Sequence, residues 1–116
     1  MATADVLVDT DVLIDHLRGS HRLSVDRRLG VSVVTRCELF AGGDDRELLR
    51  RFLAPMAQLP INAAIAELAG VTRRETGIAT PDALIAATAL LHRLPLMTRN
   101  RRHFDRVRGL DIRTPE

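Results

Sequence analysis

The sequence contains no lysine: histidine aside, all 17 of its basic side chains are arginine. This absence excludes mechanisms that depend on a lysine amine, including P-loop phosphate binding and Schiff-base catalysis. Arginine binds phosphate through two parallel hydrogen bonds, which suits a nucleic-acid partner. A genome rich in G and C would equally explain the missing lysine, and the formal net charge is only +2. The arginines alone therefore permit nucleic-acid binding without demonstrating it.

Cysteine, aromatic residues and long apolar runs are also scarce. There is one cysteine, Cys37, and the only aromatic side chains besides histidine are 3 phenylalanines. A single cysteine excludes an internal disulfide and a four-cysteine zinc site, and it fits a reducing compartment. So few aromatics exclude a platform on which bases stack. The N-terminus lacks the pattern of a signal peptide, and no apolar run is long enough to cross a membrane, so we expect a cytoplasmic protein.

What the sequence does contain is an alternation of short apolar runs and amphipathic segments. The predicted strands cover residues 6–8, 31–34, 96–98 and 110–113, and the predicted helices cover 12–17, 35–41, 44–56, 62–77, 80–91 and 103–107. Residues 59–61 are expected to form a short extended link. This alternation predicts an α/β fold whose central, mainly parallel sheet is covered by helices on both faces. The length of 116 residues predicts one domain over 1–116.

Polar residues mark where several of these helices begin and end. Asp11 is placed to cap the first predicted helix, and Thr35 with Glu38 has the Thr-x-x-Glu form of a capping box. Asn62 is expected to cap the long helix that ends near Gly77. These caps predict the boundaries of three helices.

Three acidic side chains are predicted to meet at one edge of the sheet. Asp9 closes the first strand, Glu38 follows the second, and Asp82 opens the apolar helix that leads to the third. In a right-handed parallel arrangement these positions fall at the carboxyl ends of the strands, where ligands bind. Converging carboxylates repel one another, and a divalent cation relieves that repulsion. Oxygen ligands favour Mg²⁺ or Mn²⁺, and such a site performs phosphoryl chemistry.

Each of these residues also has a purely structural explanation. Asp9 would end a strand with turn chemistry, Glu38 would complete the capping box, and Asp82 would interact with the helix dipole. Asn100 would either add a fourth ligand or end the third strand, and His103 would either reach the metal or phosphate or lie on the surface. The other acids nearby are interpreted as caps and solvated helix faces: Asp11, Asp15, Asp44, Asp45 and Glu47.

The chain contains, in this order, the stretches DTDVLID, VVTRCELFAGG and PDALIAATALLHRLPLMTRNRRHFDRVRGL. Together they resemble the PIN-domain ribonucleases, and most closely the VapC-type toxins of toxin–antitoxin pairs. The resemblance covers residues 6–114 and implies a PIN-like three-layer α/β/α fold. It implies a Mg²⁺- or Mn²⁺-dependent endoribonuclease acting on structured RNA, such as tRNA or rRNA. It also implies a homodimer and a VapB-like antitoxin that wraps the apolar helices, places a basic tail in the acidic cleft and forms a heterotetramer or larger complex.

The resemblance carries over to individual site residues. Asp9, Glu38 and Asp82 match the acids that bind metal in this family and are expected to be catalytic. Thr10 and Thr98 match positions with small hydroxyl side chains that commonly assist the site. These five residues form the core of the expected active site.

The segment after the third strand departs from the family pattern. Asn100 stands where many relatives have a fourth acid, and it is grouped with the catalytic residues; other relatives have the acid three positions later, where this chain has His103. His103 is therefore expected to support the site. Arginines at this edge are expected to hold RNA phosphates, or else to form a solvated basic face: Arg99, Arg101 and Arg102, with Arg106 and Arg108 nearby.

Two other functions remain open at this point. In a haloacid-dehalogenase-like phosphatase Asp9 would be the nucleophile and Asp11 the general acid, but that family needs a lysine and a later acidic pair, and this chain has neither. The second alternative is a degenerate PIN-like module that binds RNA or protein without cleaving, which Asn100 in place of an acid keeps open. Metal-dependent RNA cleavage and hydrolysis of a chromogenic phosphomonoester distinguish the three functions.

Overall fold

Short strands and helices alternate along the chain in the computed structural model, which describes residues 4–23 and 27–115. The strands are β1 (Val6–Val8), β2 (Leu29–Ser32), β3 (Ala57–Leu59), β4 (Leu96–Met97) and β5 (Ile112–Arg113). The helices are α1 (Thr10–Leu17), α2 (Val33–Ala41), α3 (Arg46–Leu53), α4 (Ala63–Thr76), α5 (Thr80–His92) and α6 (Arg101–Phe104). No helix within these two ranges is both long and apolar enough to cross a membrane.

The strands form one five-stranded sheet in the order β3-β2-β1-β4-β5, and every neighbouring pair is parallel. This confirms the predicted α/β class with a parallel sheet. The chain runs outward from β1 through β2 to β3, and then returns to place β4 on the other side of β1. The direction of winding therefore reverses between β1 and β4. In open sheets of this kind the crevice beyond that reversal is where ligands bind.

Side chains of β1 alternate between two cores, one on each face of the sheet. Val6 and Val8 join a cluster with residues of α1, α2 and α3, whereas Leu7 joins a cluster with residues of α5 and α6. All three side chains of β1 are fully buried. A third cluster, which includes Ile65 and Ala87, packs α4 onto α5. The result is the expected three layers, with helices on both faces of the sheet.

The strand β3 was not among the predicted strands. Ala57–Leu59 pairs with β2, with Gly30 opposite Ala57, whereas the sequence predicted only an extended link over 59–61. Ala-Gln-Leu has no β-branched or aromatic residue, and β3 is an edge strand. Its Gln58 side chain donates to the carbonyl oxygens of Leu53 and Met56 at the end of α3. Pairing with β2 and these local hydrogen bonds, rather than intrinsic propensity, account for the strand.

The helices α1 and α2 begin two residues earlier than predicted. Asp9, not Asp11, is the N-cap of α1, and its Oδ1 accepts from the Thr10 backbone nitrogen. Ser32 caps α2 and accepts from the Val34 nitrogen, so the helix begins at Val33 and the predicted capping box at Thr35 is wrong. In both cases an earlier polar residue has extended backbone dihedrals and accepts from a free amide in the first turn of the helix.

The boundaries of α4 and α5 agree with prediction, whereas α3 covers Arg46–Leu53 rather than the predicted 44–56. Asn62 caps α4, with Oδ1 accepting from the Ile65 nitrogen at 2.9 Å, and Gly77 ends the helix with φ of 76°. A left-handed residue at this position is what glycine permits without steric cost. Helix α5 is buried on most of its surface, as its apolar sequence predicts. The short helix α6 covers Arg101–Phe104 rather than the predicted 103–107.

Candidate metal centre

Asp9 lies directly after β1, beside the reversal in strand order. Its residue is only 5% exposed. One carboxylate oxygen accepts from the Thr10 nitrogen at 2.8 Å, and the other accepts from the Thr98 hydroxyl at 2.8 Å. Thr98 follows β4, the strand paired with β1, so the parallel pairing itself brings the two residues together. Asp9 is thus a fixed carboxylate at the carboxyl edge of the two central strands.

Burial is the main reason why the pKa of Asp9 is raised, to about 7. The hydrogen bonds from Thr98 and Thr10 act in the opposite direction, since they stabilise the ionised form, and the nearby Asp11 raises the pKa further. No cationic side chain is among the groups that shift it. The two hydrogen bonds do not fully compensate for the lost hydration, so below about pH 7 the ionised form of Asp9 is favoured only when a cation comes close.

Asp11 belongs to the same edge of the sheet, although the sequence analysis interpreted it as a helix cap. Its Oδ2 accepts from the Arg99 backbone nitrogen at 3.1 Å and from the Asn100 side-chain nitrogen at 3.0 Å. Its Oδ1 is buried, and within residues 4–23 and 27–115 no hydrogen-bond partner for it is found. A first-turn acid two residues after Asp9 was the available signal, but ordinary helix-dipole acids occupy such positions too.

Glu38 is hydrogen-bonded to a hydroxyl of the first helix, that of Thr10. It lies in the second turn of α2, and its Oε1 accepts from the Thr10 hydroxyl at 2.6 Å. The same Thr10 oxygen is 3.0 Å from the hydroxyl of Thr35, which is fully buried in α2. Glu38 itself is exposed. Thr10 therefore connects the Asp9 end of α1 with the acid of α2.

Asp82 is the third residue of α5, and its side chain is 24% exposed. Burial raises its pKa, the nearby His103 lowers it, and the carboxylates of Glu38 and Asp11 raise it. His103 Nδ1 lies 3.4 Å from Asp82 Oδ2, on a side chain that is 58% exposed. Asp82 is thus electrostatically coupled to acids of α1 and α2, although it follows them by more than 40 residues of sequence.

The turn after β4 is held against α1 by several contacts. The Asn100 backbone nitrogen donates to the Thr98 hydroxyl at 3.0 Å, in addition to its side-chain bond to Asp11. The Arg99 Nε lies 3.0 Å from Asp15 Oδ2 in a half-buried ion pair. Arg101 and Arg102, on α6, are exposed. Among the described residues, Arg99 forms an ion pair with Asp15 of α1, and no ion pair is found for Arg101 or Arg102.

The donor set suits a divalent cation of the Mg²⁺ or Mn²⁺ type, because it consists of oxygen ligands. Its acids include a buried carboxylate with a raised pKa, Asp9, and a buried carboxylate oxygen without a hydrogen-bond partner, on Asp11. In the described part of the chain, no group of three histidine, cysteine or acidic side chains already has the spacing of a bound ion. The residues fit such an ion chemically, and the carboxylates would draw together around it.

The raised pKa of Asp9 predicts the pH dependence of metal binding. Protons compete with the cation for this carboxylate up to about pH 7, so Mn²⁺ affinity is expected to rise with pH through 7 and then to level off. An ordinary aspartate carboxylate would reach its plateau about three pH units lower. Titration calorimetry between pH 5.5 and 8.5, in two buffers of different ionisation enthalpy, measures both the affinity and the protons released. The control variant His103→Gln is expected to retain the dependence. A plateau already reached at pH 5.5 would contradict this prediction.

The sequence of this chain is similar to a known family and to two known proteins. The PIN domain family model matches residues 6–110. Ribonuclease VapC10 of Mycobacterium tuberculosis is 39% identical over 113 residues, with coverage of 85% of this chain and 85% of the relative. Ribonuclease VapC19 of the same organism is 34% identical over 113 residues, with coverage of 84% and 90%. Both relatives are thus similar over most of their own length.

The fold is also similar to that of a solved structure. A chain of a toxin–antitoxin complex from Klebsiella pneumoniae superposes with a TM-score of 0.79 at 30% sequence identity. The match covers 96% of this chain and 98% of that chain. The five-stranded parallel sheet and its covering helices are therefore shared over nearly the whole of both chains.

Proposed function

Since the chain belongs to the PIN-domain family, we propose that it is a metal-dependent endoribonuclease, the toxin of a toxin–antitoxin pair, that hydrolyses phosphodiester bonds in structured RNA such as tRNA or rRNA. The observation that carries this proposal is the buried Asp9 carboxylate, which is electrostatically coupled to Asp11, while Asp11 and Glu38 in turn raise the pKa of Asp82; none of the described residues that shift the pKa of Asp9 is cationic. The two relatives are named as ribonucleases, which supports the proposed activity. The acids are the residues that would bind the metal ion this activity requires.

Asp9, Glu38 and Asp82 would hold the cation, Mg²⁺ or Mn²⁺. A divalent ion bound there supplies an activated water and charge stabilisation for in-line attack on phosphorus. The chain's own hydroxyls orient the ligands: Thr98 holds one oxygen of Asp9, and Thr10 holds one oxygen of Glu38. His103 is close enough to Asp82 to fix that carboxylate and, when protonated, to interact with a phosphate. Each of the three ligands thus has one supporting residue in contact with it.

The arginines of the short helix would bind the RNA backbone. Arg101 and Arg102 are exposed on the same short helix as His103, which contacts Asp82, and their guanidinium groups would pair with phosphates on either side of the cleaved bond. Arg99 is the weaker candidate for direct contact, because its guanidinium pairs with Asp15. Such contacts add affinity but read no base sequence.

Neutralisation by a cognate VapB-like antitoxin is part of the proposal. The relative from Klebsiella pneumoniae is described as part of a toxin–antitoxin complex. Charge complementarity supports a basic antitoxin segment in the cleft of Asp9, Glu38 and Asp82, where it would compete with metal and RNA. We also propose that residues 1–116 form one PIN domain, that the toxin is a homodimer forming a heterotetramer or larger assembly with its antitoxin, and that it works in the cytoplasm, where its RNA substrates are.

The test is RNA cleavage by purified, antitoxin-free protein. Mn²⁺ or Mg²⁺ is expected to permit cleavage of total tRNA and rRNA into discrete products, EDTA is expected to abolish it, and re-added metal is expected to restore it. The Asp82→Asn protein serves as the matched inactive control. Cleavage that persists in EDTA would contradict the metal-dependent mechanism. Hydrolysis of a chromogenic phosphomonoester would favour the phosphatase, and RNA binding without cleavage would favour the degenerate module.

A further inference from the structure

Asp11 and Asn100 form a pair that connects the first helix with the turn after β4. The Asn100 side-chain nitrogen donates to Asp11 Oδ2 at 3.0 Å, across 89 positions of sequence. The Arg99 backbone nitrogen donates to the same oxygen. One oxygen of the carboxylate is therefore satisfied twice, and the pair fixes the orientation of the other.

The second oxygen of Asp11 is the unusual feature. Oδ1 is buried and has no amide or hydroxyl donor among the described residues, and the neighbouring carboxyl of Asp9 is close enough to share a proton with the Asp11 carboxylate when the site holds no cation. A buried carboxylate oxygen left without a partner is costly, and such groups call for a specific explanation. The Asp11 carboxylate also repels those of Asp9 and Asp82, so it lies within electrostatic range of both. A cation in the site would satisfy Oδ1 and remove the repulsion at once.

Asn100 is the point at which this chain departs from the PIN-domain pattern, since many relatives have an acid there. Here the acid is on α1, and the amide is after β4. Building on the proposed function, we propose that Asp11 supplies the fourth carboxylate of the metal site and that Asn100 is a positioning residue which holds it.

Asn100 is suited to this role because it acts on two acids together. Its side chain holds Asp11, while its backbone nitrogen donates to the Thr98 hydroxyl, which in turn donates to Asp9. An aspartate at position 100 would place a carboxylate against Asp11 and lose the side-chain donor. The amide is therefore the partner that an acid at position 11 requires.

The test is Mn²⁺ titration calorimetry on wild type, Asp11→Asn and the double variant Asp11→Asn/Asn100→Asp. Asp11→Asn keeps the shape of the pair, because two amides can hydrogen-bond to each other, but it removes the charge. We expect its Mn²⁺ affinity to fall at least about 10-fold. The double variant restores an acid–amide pair with the acid after β4, and its affinity is expected to return to within about threefold of wild type.

Two controls separate this role from a structural one. Asp105→Asn removes an exposed acid just after α6 and is expected to leave Mn²⁺ affinity unchanged. The melting temperature of Asp11→Asn in EDTA is expected not to fall, because one repulsive charge is lost and the pair is kept. Wild-type affinity in Asp11→Asn, together with lost binding in Asp82→Asn, would overturn this inference and leave the proposed function intact. No Mn²⁺ binding by the wild-type protein would overturn both.

Discussion

Replacing Asp9 by asparagine is expected to abolish RNA cleavage and, without metal, to stabilise the fold. The amide has nearly the same shape and still accepts from the Thr10 nitrogen, but it cannot serve as an anionic ligand. We therefore expect the cleavage rate to fall by at least about 100-fold, judged from the losses caused by removing groups next to a metal. Single-turnover cleavage at saturating Mn²⁺ measures this loss.

The stability of the same variant follows from the raised pKa of Asp9. Above pH 7 the folded wild-type protein must hold a buried, ionised carboxylate, whereas the unfolded chain holds the same group in water. A neutral amide removes that cost, so urea unfolding in EDTA at pH 8 is expected to show a gain of roughly 1–3 kcal/mol. The gain shrinks as the pH falls from 7 towards 4, because the wild-type carboxyl then takes up a proton in the folded state.

Asp5 provides the matched control, since it lies just before β1 as Asp9 lies just after it. It is exposed, its pKa is lowered mainly by a hydrogen bond from the Arg28 backbone, and it pairs with the Arg28 guanidinium. Asp5→Asn is expected to cleave RNA at the wild-type rate and to show no gain in stability at pH 8. Loss of cleavage in both variants, or a destabilised Asp9→Asn, would contradict the role assigned to Asp9.

The central strand and its acid were predictable because local signals and the fold agree there. Val6, Leu7 and Val8 are branched and apolar, and a strand buried on both faces needs such a run. Because strand ends of a parallel sheet share an edge, the acids after β1 and β2 were expected to lie close together. The structure connects Glu38 to the residue after Asp9 through the Thr10 hydroxyl, and the alternative explanation of Glu38 as part of a capping box is wrong.

Other parts of the site depend on contacts that local patterns do not encode. Asp11 has the sequence context of an ordinary first-turn acid, and only its bonds to residues 99 and 100, nearly 90 positions away, distinguish it. Arg99 was grouped with Arg101 and Arg102 by composition, yet its pairing with Asp15 depends on how the turn after β4 meets α1. Such long-range polar pairs are determined by tertiary packing, and the periodicity of apolar residues does not predict them.

Phe104→Ala is expected to cause a large loss of stability, because this side chain holds the short helix α6 on the sheet. Phe104 is fully buried and packs with Leu7, Ile85 and Leu96. Truncating a buried phenylalanine costs about 3–5 kcal/mol, a large share of the roughly 5–15 kcal/mol that holds a domain together. Urea unfolding of the metal-free protein measures the loss.

Phe104→Ala is also expected to disturb the proposed active site, because α6 is only four residues long and carries three of the side chains proposed to act there. His103, which contacts Asp82, immediately precedes Phe104, and Arg101 and Arg102 form the rest of the helix. Phe104→Leu keeps most of the buried apolar volume and is expected to retain cleavage, whereas Phe104→Ala is expected to weaken RNA binding as well as stability. Phe52→Ala, on the opposite face of the sheet, is the control: its side chain is only half-buried and stacks on His16, so its truncation should cost less and leave RNA binding unchanged. If Phe52→Ala proved the more damaging of the two, α6 would not depend on Phe104 for its place at the site.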